Sequence, residues 1–267
     1  MILAKTYFPR HDDNRMINEG DLQKARTNLI ENKPSNLMFL LESRYSWMQP
    51  YLVGKEDVYE LGAGAGFSKI FLDGETNALK LTDFVKYDWI DQRVDALNLP
   101  FDSESVDVLI CSHMIHHLAN PMEFFDGVRR VLKKDGVLLI SEINTSFVMR
   151  VLLRVMRHEG WSYEKDVFDR QELANDPVDP WSANCAIPEL LFGNVEKFEK
   201  NQPGLKVERN ELCEGMIFPL SGGVIAKTKT VNLPRPALQG VSFLDSILIK
   251  LFPKIFALGR RVVIRKH

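Results

Sequence analysis

The chain has 267 residues, 45% hydrophobic and 26% charged, an ordinary globular composition with enough length for one large core. A net charge of −2 and a pI near 6.3 exclude the broad basic field that recruits nucleic acid, so no nucleic-acid partner is expected. Three cysteines without C-x-x-C spacing argue against a disulfide framework or a zinc site. With no apolar run of 18 residues and no signal-peptide core in "MILAKTYFPRHDDNR", a cytoplasmic protein is expected.

Residues 1–54 read as an N-terminal helical segment. Leu22, Ala25, Leu29 and Ile30 form a stripe behind an Asp21 cap, and Ser35 is placed to cap a second helix running to Pro50. From residue 55 short strands alternate with helices, the pattern of a doubly wound α/β sheet with its ligand at the C-terminal strand ends. "DVYELG", "ALKLTD", "VDVLICS" and "VLLIS" read as strands, and "FSKIFLDG" as a short helix stopped by Gly74. "NPMEFFDGVRRVLKKDG" reads as a helix capped by Asn120, started by Pro121 and closed by Lys133, Lys134 and Gly136. The rhythm breaks at about 145–186, an apparent insertion. Residues 187–200 read as a helix, "LKVERNELCE" and "RRVVIRK" as strands, and about 214–258 between them as a second insertion.

"VYELGAGAGF" carries glycines at 62, 64 and 66 directly behind Glu60. A dinucleotide loop needs G-x-G-x-x-G, but counting from Gly62 or Gly64 the sixth residue is Phe67 or Lys69. No Gly-Lys-Ser/Thr follows for a P-loop, and Glu60 would repel a pyrophosphate. A cationic ligand without phosphate fits better, and S-adenosylmethionine is one. Gly62, Ala63, Gly64 and Gly66 then let the backbone approach its ribose and methionyl part, with Glu60 facing the cationic end directly or through water. A plain strand-to-helix turn is the structural alternative. Asp83, 23 residues past Glu60, is placed to accept the ribose hydroxyls. Asp95 is placed to accept from the adenine amino group, with Ala96, Leu97 and either Phe84 or Trp89 walling the ring.

"ELGAGAG", "LTD", "VDALNLPFDSESVDVLICSHMIHHLANPMEFF" and "RRVLKKDGVLLISE" resemble the successive motifs of class I SAM-dependent methyltransferases, nearest the group that includes the quinone-biosynthesis enzymes. The resemblance covers roughly residues 55–143. It implies a Rossmann-like seven-stranded sheet with an antiparallel last strand, for which "RRVVIRK" is suited. It also implies S-adenosylmethionine as cofactor. One departure stands out: only eleven residues separate Asp83 from Asp95, too few for the usual helix and turn.

Transfer of an activated methyl group depends chiefly on alignment, and oxygen or carbon acceptors usually need a base as well. "SHMIHH" sets Ser112, His113, His116 and His117 at the strand end that would face the methyl group. His113 and His117 are expected with Ser112 around the cofactor, His116 as the base and Glu142 as its rival. H-x-x-H-H lacks partner ligands at recognisable spacing, so no metal is expected. Trp161, Tyr163, Phe168 and Trp181 in the first insertion either stack on a sugar or flat ring or form a packed lid. A small-molecule, saccharide or lipid-intermediate acceptor is expected, the alternative being a non-catalytic SAM-binding sensor or partner subunit. After Asp245 the C-terminus holds Lys250, Lys254, Arg260, Arg261, Arg265 and Lys266 without an acid. It reads as a helix packed on the core before the closing strand, or as a peripheral contact with an anionic membrane.

Overall fold

The computed structural model describes residues 4–72, 74, 78–179, 181–225 and 228–267. A short strand β1 (Thr6–Tyr7) precedes α1 (Arg15–Glu19), α2 (Leu22–Asn32) and α3 (Ser35–Ser46). Asp21 caps α2 as expected, accepting from the Lys24 amide at 3.0 Å. Ser35 does not cap α3. It is the first helical residue, and its hydroxyl donates instead to the Leu233 carbonyl at 2.9 Å.

The alternating part gives β2 (Val58–Leu61), α4 (Phe67–Leu72), β3 (Leu79–Asp83), β4 (Gln92–Arg93), β5 (Val106–Ser112), α5 (Pro121–Val131) and β6 (Leu132–Ile143). Helix α4 ends at Leu72, and Asp73 in its expected stop lies outside the described residues. Asn120 caps α5, accepting from the Glu123 amide at 3.2 Å. The expected closure of α5 by Lys133, Lys134 and Gly136 is corrected: all three belong to β6. Lys133 is drawn there by two carboxylates, Asp57 at 2.7 Å and Asp107 at 3.0 Å.

The remainder comprises α6 (Phe147–Met156), β7 (Trp161–Ser162), α7 (Ile187–Phe192), α8 (Val195–Asn201), β8 (Leu205–Cys213), α9 (Ile217–Leu220), α10 (Arg235–Leu251), α11 (Pro253–Phe256) and β9 (Gly259–Lys266). The single helix expected over 187–200 is two helices, parted at Gly193–Asn194, where Asn194 caps α8. The segment 145–186 contains α6, and β7 pairs antiparallel with β1.

The main sheet runs β4-β3-β2-β5-β6-β9-β8, and β9, the last strand of the chain, is antiparallel to both neighbours. This is the Rossmann-like seven-stranded sheet with an antiparallel last strand that the motifs imply. Its strands alternate between two cores, as a period of two requires. Leu109, Cys111, Leu138, Ile140, Val262 and Ile264 face α5, while Val108, Ile110, Val137, Leu139 and Val263 share the other core with α3. Strands buried on both faces explain the continuous apolar runs. The link from β3 to β4 has no helix. Asp91 ties it down, accepting from the Leu81 amide at 2.7 Å.

Candidate active site

A cavity of about 410 Å³ opens where β2, β3, β5 and β6 end. Gly62 and Gly64 form its floor in the left-handed region, at φ +68° and +52°. A Cβ on Gly62 would stand 2.4 Å from Met114 Cγ, so only glycine fits. Asp83 shapes the loop: one carboxylate oxygen accepts from the Gly64 amide at 2.8 Å and the other from Val85 at 2.9 Å. Burial raises the Asp83 pKa, and these amide bonds oppose the rise. Ala63, Phe84, Asp95, Ala96 and Leu97 line the same side, with Asp95 accepting from the Leu97 amide at 2.9 Å.

Three expectations on this side need correction. Glu60 is 1% exposed and does not line the cavity, but braces the loop from beneath, accepting from the Ser68 hydroxyl. Burial pushes its carboxyl up to about 8, which favours the uncharged form at neutral pH. Gly66 also lies off the cavity, and its φ of +67° serves packing, since a Cβ would meet Leu81 and Trp89 at 2.9 Å. Trp89 is no ring wall. It stands behind the loop, donating Nε1–H to the Gly64 carbonyl at 2.8 Å and stacking on Tyr87.

On the other side, Ser112, His113, His116 and His117 all reach the cavity. His113 has φ +54°, its amide donates to the Ser141 carbonyl at 2.8 Å, and its buried Nε2 has no hydrogen-bond partner among the described residues. Burial holds its pKa well below the ordinary value, so it is neutral. His116 and Glu142 are not rivals but partners. His116 Nδ1 lies 2.6 Å from Glu142 Oε2, and Glu142 also accepts from the amides of Ile115 at 2.6 Å and Ile143 at 3.1 Å. Glu142 is enclosed and off the cavity.

Glu159, which no sequence signal marked, stands on the far side of His116, 3.6 Å from Nε2. Burial opposes charge on His116, but Glu142 and Glu159 outweigh it and push its pKa up to about 10. The imidazole is therefore protonated near pH 7 and is not the free base expected of it. Burial, helped by the neighbouring His116 charge, lowers His117 to about 4.

Of the four aromatics read either as stacking on the acceptor or as a packed lid, only Trp181 lines the cavity. Trp161 is fully buried and donates to the Ala4 carbonyl at 3.1 Å, Tyr163 bonds Glu189, and Phe168 packs beneath Lys197. The apolar wall comes instead from α6, through Met149, Leu152, Leu153 and Met156. Their i, i+3, i+4, i+7 spacing behind the Ser146 cap is an amphipathic signal that was available in the sequence. Arg44 and Tyr45 of α3 and Phe218 of α9 complete it.

A protein-family profile described as a methyltransferase domain matches residues 61–140. Residues 61–140 thus match a methyltransferase domain, of the class I SAM-dependent type that the sequence motifs resemble. A highly reducing polyketide synthase (aurA) of Calcarisporium arbuscula is 29% identical over 139 residues, 49% of this chain and 5% of that protein. A ubiquinone biosynthesis O-methyltransferase of Glaesserella parasuis serovar 5 is 37% identical over 43 residues, 16% of this chain and 18% of that one. The chain thus spans less than a fifth of the length of these curated relatives. A SAM-dependent methyltransferase structure from Archaeoglobus fulgidus superposes with a TM-score of 0.53 at 18% identity, covering 90% of this chain and 98% of that one, which supports the fold.

S-adenosylmethionine is the cofactor of this domain type, and the residues present suit it. The bare floor at Gly62–Gly64 admits a ligand backbone-close, Asp83 and Asp95 offer carboxylates at successive strand ends, and His113 Nε2 is a buried polar atom awaiting a partner. Bound there, the cofactor supplies a methyl group already activated on a sulfonium.

Proposed function

We propose that this protein transfers a methyl group from S-adenosylmethionine to a small, largely apolar acceptor bearing an oxygen at or next to the methylated atom. One observation carries the reading: a single cavity joins the glycine floor and the Asp83–Asp95 side to an apolar wall and to the His116–Glu159 cluster. Gly62, Ala63, Gly64, Asp83, Phe84, Asp95, Ala96, Leu97, Ser112, His113 and His117 are the groups assigned to the cofactor. Met149, Leu152, Leu153, Met156, Trp181 and Phe218 exclude water around the acceptor, which favours an apolar body over a saccharide. The reacting group faces His116 and Glu159, and its proton is received at Glu159, the ionised carboxylate of the pair, with Glu142 fixing His116. The names of two relatives, a polyketide synthase and a ubiquinone biosynthesis O-methyltransferase, agree with such an acceptor. The test is transfer of radiolabelled methyl from S-adenosylmethionine to a panel of phenols, β-ketothioesters and sugars. Transfer confined to sugars would reject the acceptor class, and none with any acceptor would favour a binding role.

We infer also that the α10–α11 face touches an anionic bilayer. Phe243, Leu244, Ile247 and Leu251 share one helical face and are exposed, Phe243 by 65% and Leu251 by 62%, and exposed Phe252 and Ile255 follow. Lys250 and Lys254 are the charges interspersed there, while Asp245 is buried, accepting from the Met216 and Ile217 amides. Arg260, Arg261, Arg265 and Lys266 belong to β9 and are engaged within the fold, so they are withdrawn from this surface. Binding to phosphatidylserine vesicles at low salt, lost in Lys250→Glu/Lys254→Glu, is expected. Equal absence from anionic and neutral vesicles would reject it.

A further inference from the structure

His116 and His117 occupy one 3-10 turn (Ile115–His117) after β5, Glu159 follows α6, and all three line the cavity. His116 Nε2 lies 3.6 Å from one Glu159 oxygen, and His117 Nε2 lies 3.8 Å from the other. Both separations are too long for hydrogen bonds. A metal ion with nitrogen and oxygen bonds of about 2.0–2.2 Å holds neighbouring ligand atoms roughly 3.3–3.6 Å apart in a tetrahedral shell. Two edges of the triangle, one to each Glu159 oxygen, thus stand within a few tenths of an ångström of that value. One ligand atom from each lies within 4.8 Å of the others.

The outer atoms of both imidazoles are also occupied in the way ligation requires. His117 Nδ1 faces the Ser182 carbonyl at 3.0 Å and must donate to it, which leaves Nε2 with its lone pair. His116 Nδ1 is held by Glu142 at 2.6 Å, and Glu142 is itself anchored by two backbone amides. A carboxylate or carbonyl behind each ring fixes its orientation, and an ion at this site displaces the proton that His116 Nε2 otherwise carries. Two imidazoles, so aimed, converge on a carboxylate that lies within ion-pair but not hydrogen-bond distance of either and also accepts from the Cys185 thiol at 3.3 Å.

We propose that His116, His117 and Glu159 bind one divalent transition-metal ion of the zinc class in the cavity wall. Two nitrogens and one carboxylate suit zinc or iron better than magnesium or calcium, and three protein ligands leave an open position. The role of that position deepens the proposed function and rests on it: the ion would polarise the acceptor oxygen, lowering the cost of losing its proton. Metal binding itself does not depend on that reading. The H-x-x-H-H spacing supplied two ligands, and folding supplies the third.

The full chain, stripped with a chelator, is dialysed against zinc ions alone and analysed for bound metal, and cobalt(II) is titrated in parallel with absorption detection. One zinc per chain at micromolar concentration and visible ligand-field bands are expected. Glu159→Gln and His117→Ala should each weaken zinc binding by more than about 100-fold, beyond the loss from an outer partner alone. His11→Ala, an exposed histidine elsewhere, should leave it unchanged. Absence of stoichiometric zinc, absence of cobalt bands, or zinc binding that survives both substitutions overturns the proposal. The wild-type cobalt spectrum decides even where a variant does not fold. S-adenosylmethionine titrated into the zinc-free chain separates the two readings: its failure to bind would defeat the methyltransferase reading and leave the metal result standing.

Discussion

Along the strand ends from Gly62 to His117, each wall group of the cavity sits within a few residues of the strand that carries it, whereas opposite them Glu159, Trp181 and Phe218 arrive from separate loops and helices. The first wall is held by short-range geometry: three glycines with positive φ, and Asp83 fastening Gly64 and Val85. The second is held by contacts distant in sequence, such as the buried Arg44–Glu214 pair at 2.8 Å and Asn36 donating to Leu220 and Val231. A wall of the first kind can keep one ligand while the other varies its partner. This is how a common cofactor and a variable acceptor coexist on one fold.

The largest expected effect breaks the second wall. Arg44→Ala strands the Glu214 carboxylate in a buried site, where losing one partner of an ion pair costs about 3–5 kcal/mol. Urea unfolding should show it, and a change below about 1 kcal/mol would mean that water solvates Glu214. A pH profile sharpens the account of the first wall. Glu60 titrates near 8 when folded and near the ordinary ~4.3 when unfolded, so the folded state keeps a proton that the unfolded chain releases between those values. Stability should therefore fall by up to about 1.4 kcal/mol per pH unit from roughly pH 5 to 8, then level. Glu60→Gln removes that slope, so its advantage over the wild type should grow between melts at pH 5 and pH 8.5. An advantage that does not change with pH would mean that Glu60 is ionised.

The contrast between the walls is also the contrast between what was legible in the sequence and what was not. Gly62, Asp83, Asp95 and the alternation of strands with helices could be placed because backbone chemistry and spacing along the chain determine them. Glu60 could be located but not oriented, since its burial depends on Ser68 and the packing beneath the loop. His116 and Glu142 were each noticed, yet nothing in the sequence says that strands β5 and β6 bring them to 2.6 Å, which turns two candidate bases into one bonded pair. Glu159 had no periodicity or motif to announce it. Helix α6 did, and its apolar stripe was hidden only by the irregular sequence that follows it.

Two smaller effects probe the floor of the cavity. Asp83→Ala removes a carboxylate and frees the Gly64 and Val85 amides, and should weaken S-adenosylmethionine binding by about 1.5–3 kcal/mol. Fluorescence titration giving an unchanged affinity would place the cofactor elsewhere. Trp89→Phe keeps the packing but deletes the 2.8 Å bond to the Gly64 carbonyl, for an expected loss of about 0.5–1.5 kcal/mol in the same titration. A larger loss would show that the ring itself contacts the ligand.

Calorimetric titration of the full chain with S-adenosylmethionine, S-adenosylhomocysteine and NAD tests the central claim most directly. Saturable binding of both adenosyl ligands at one site per chain, with NAD far weaker, is the predicted result. No heat with either adenosyl ligand, or preference for NAD, would contradict the cavity's assignment to a methyl donor.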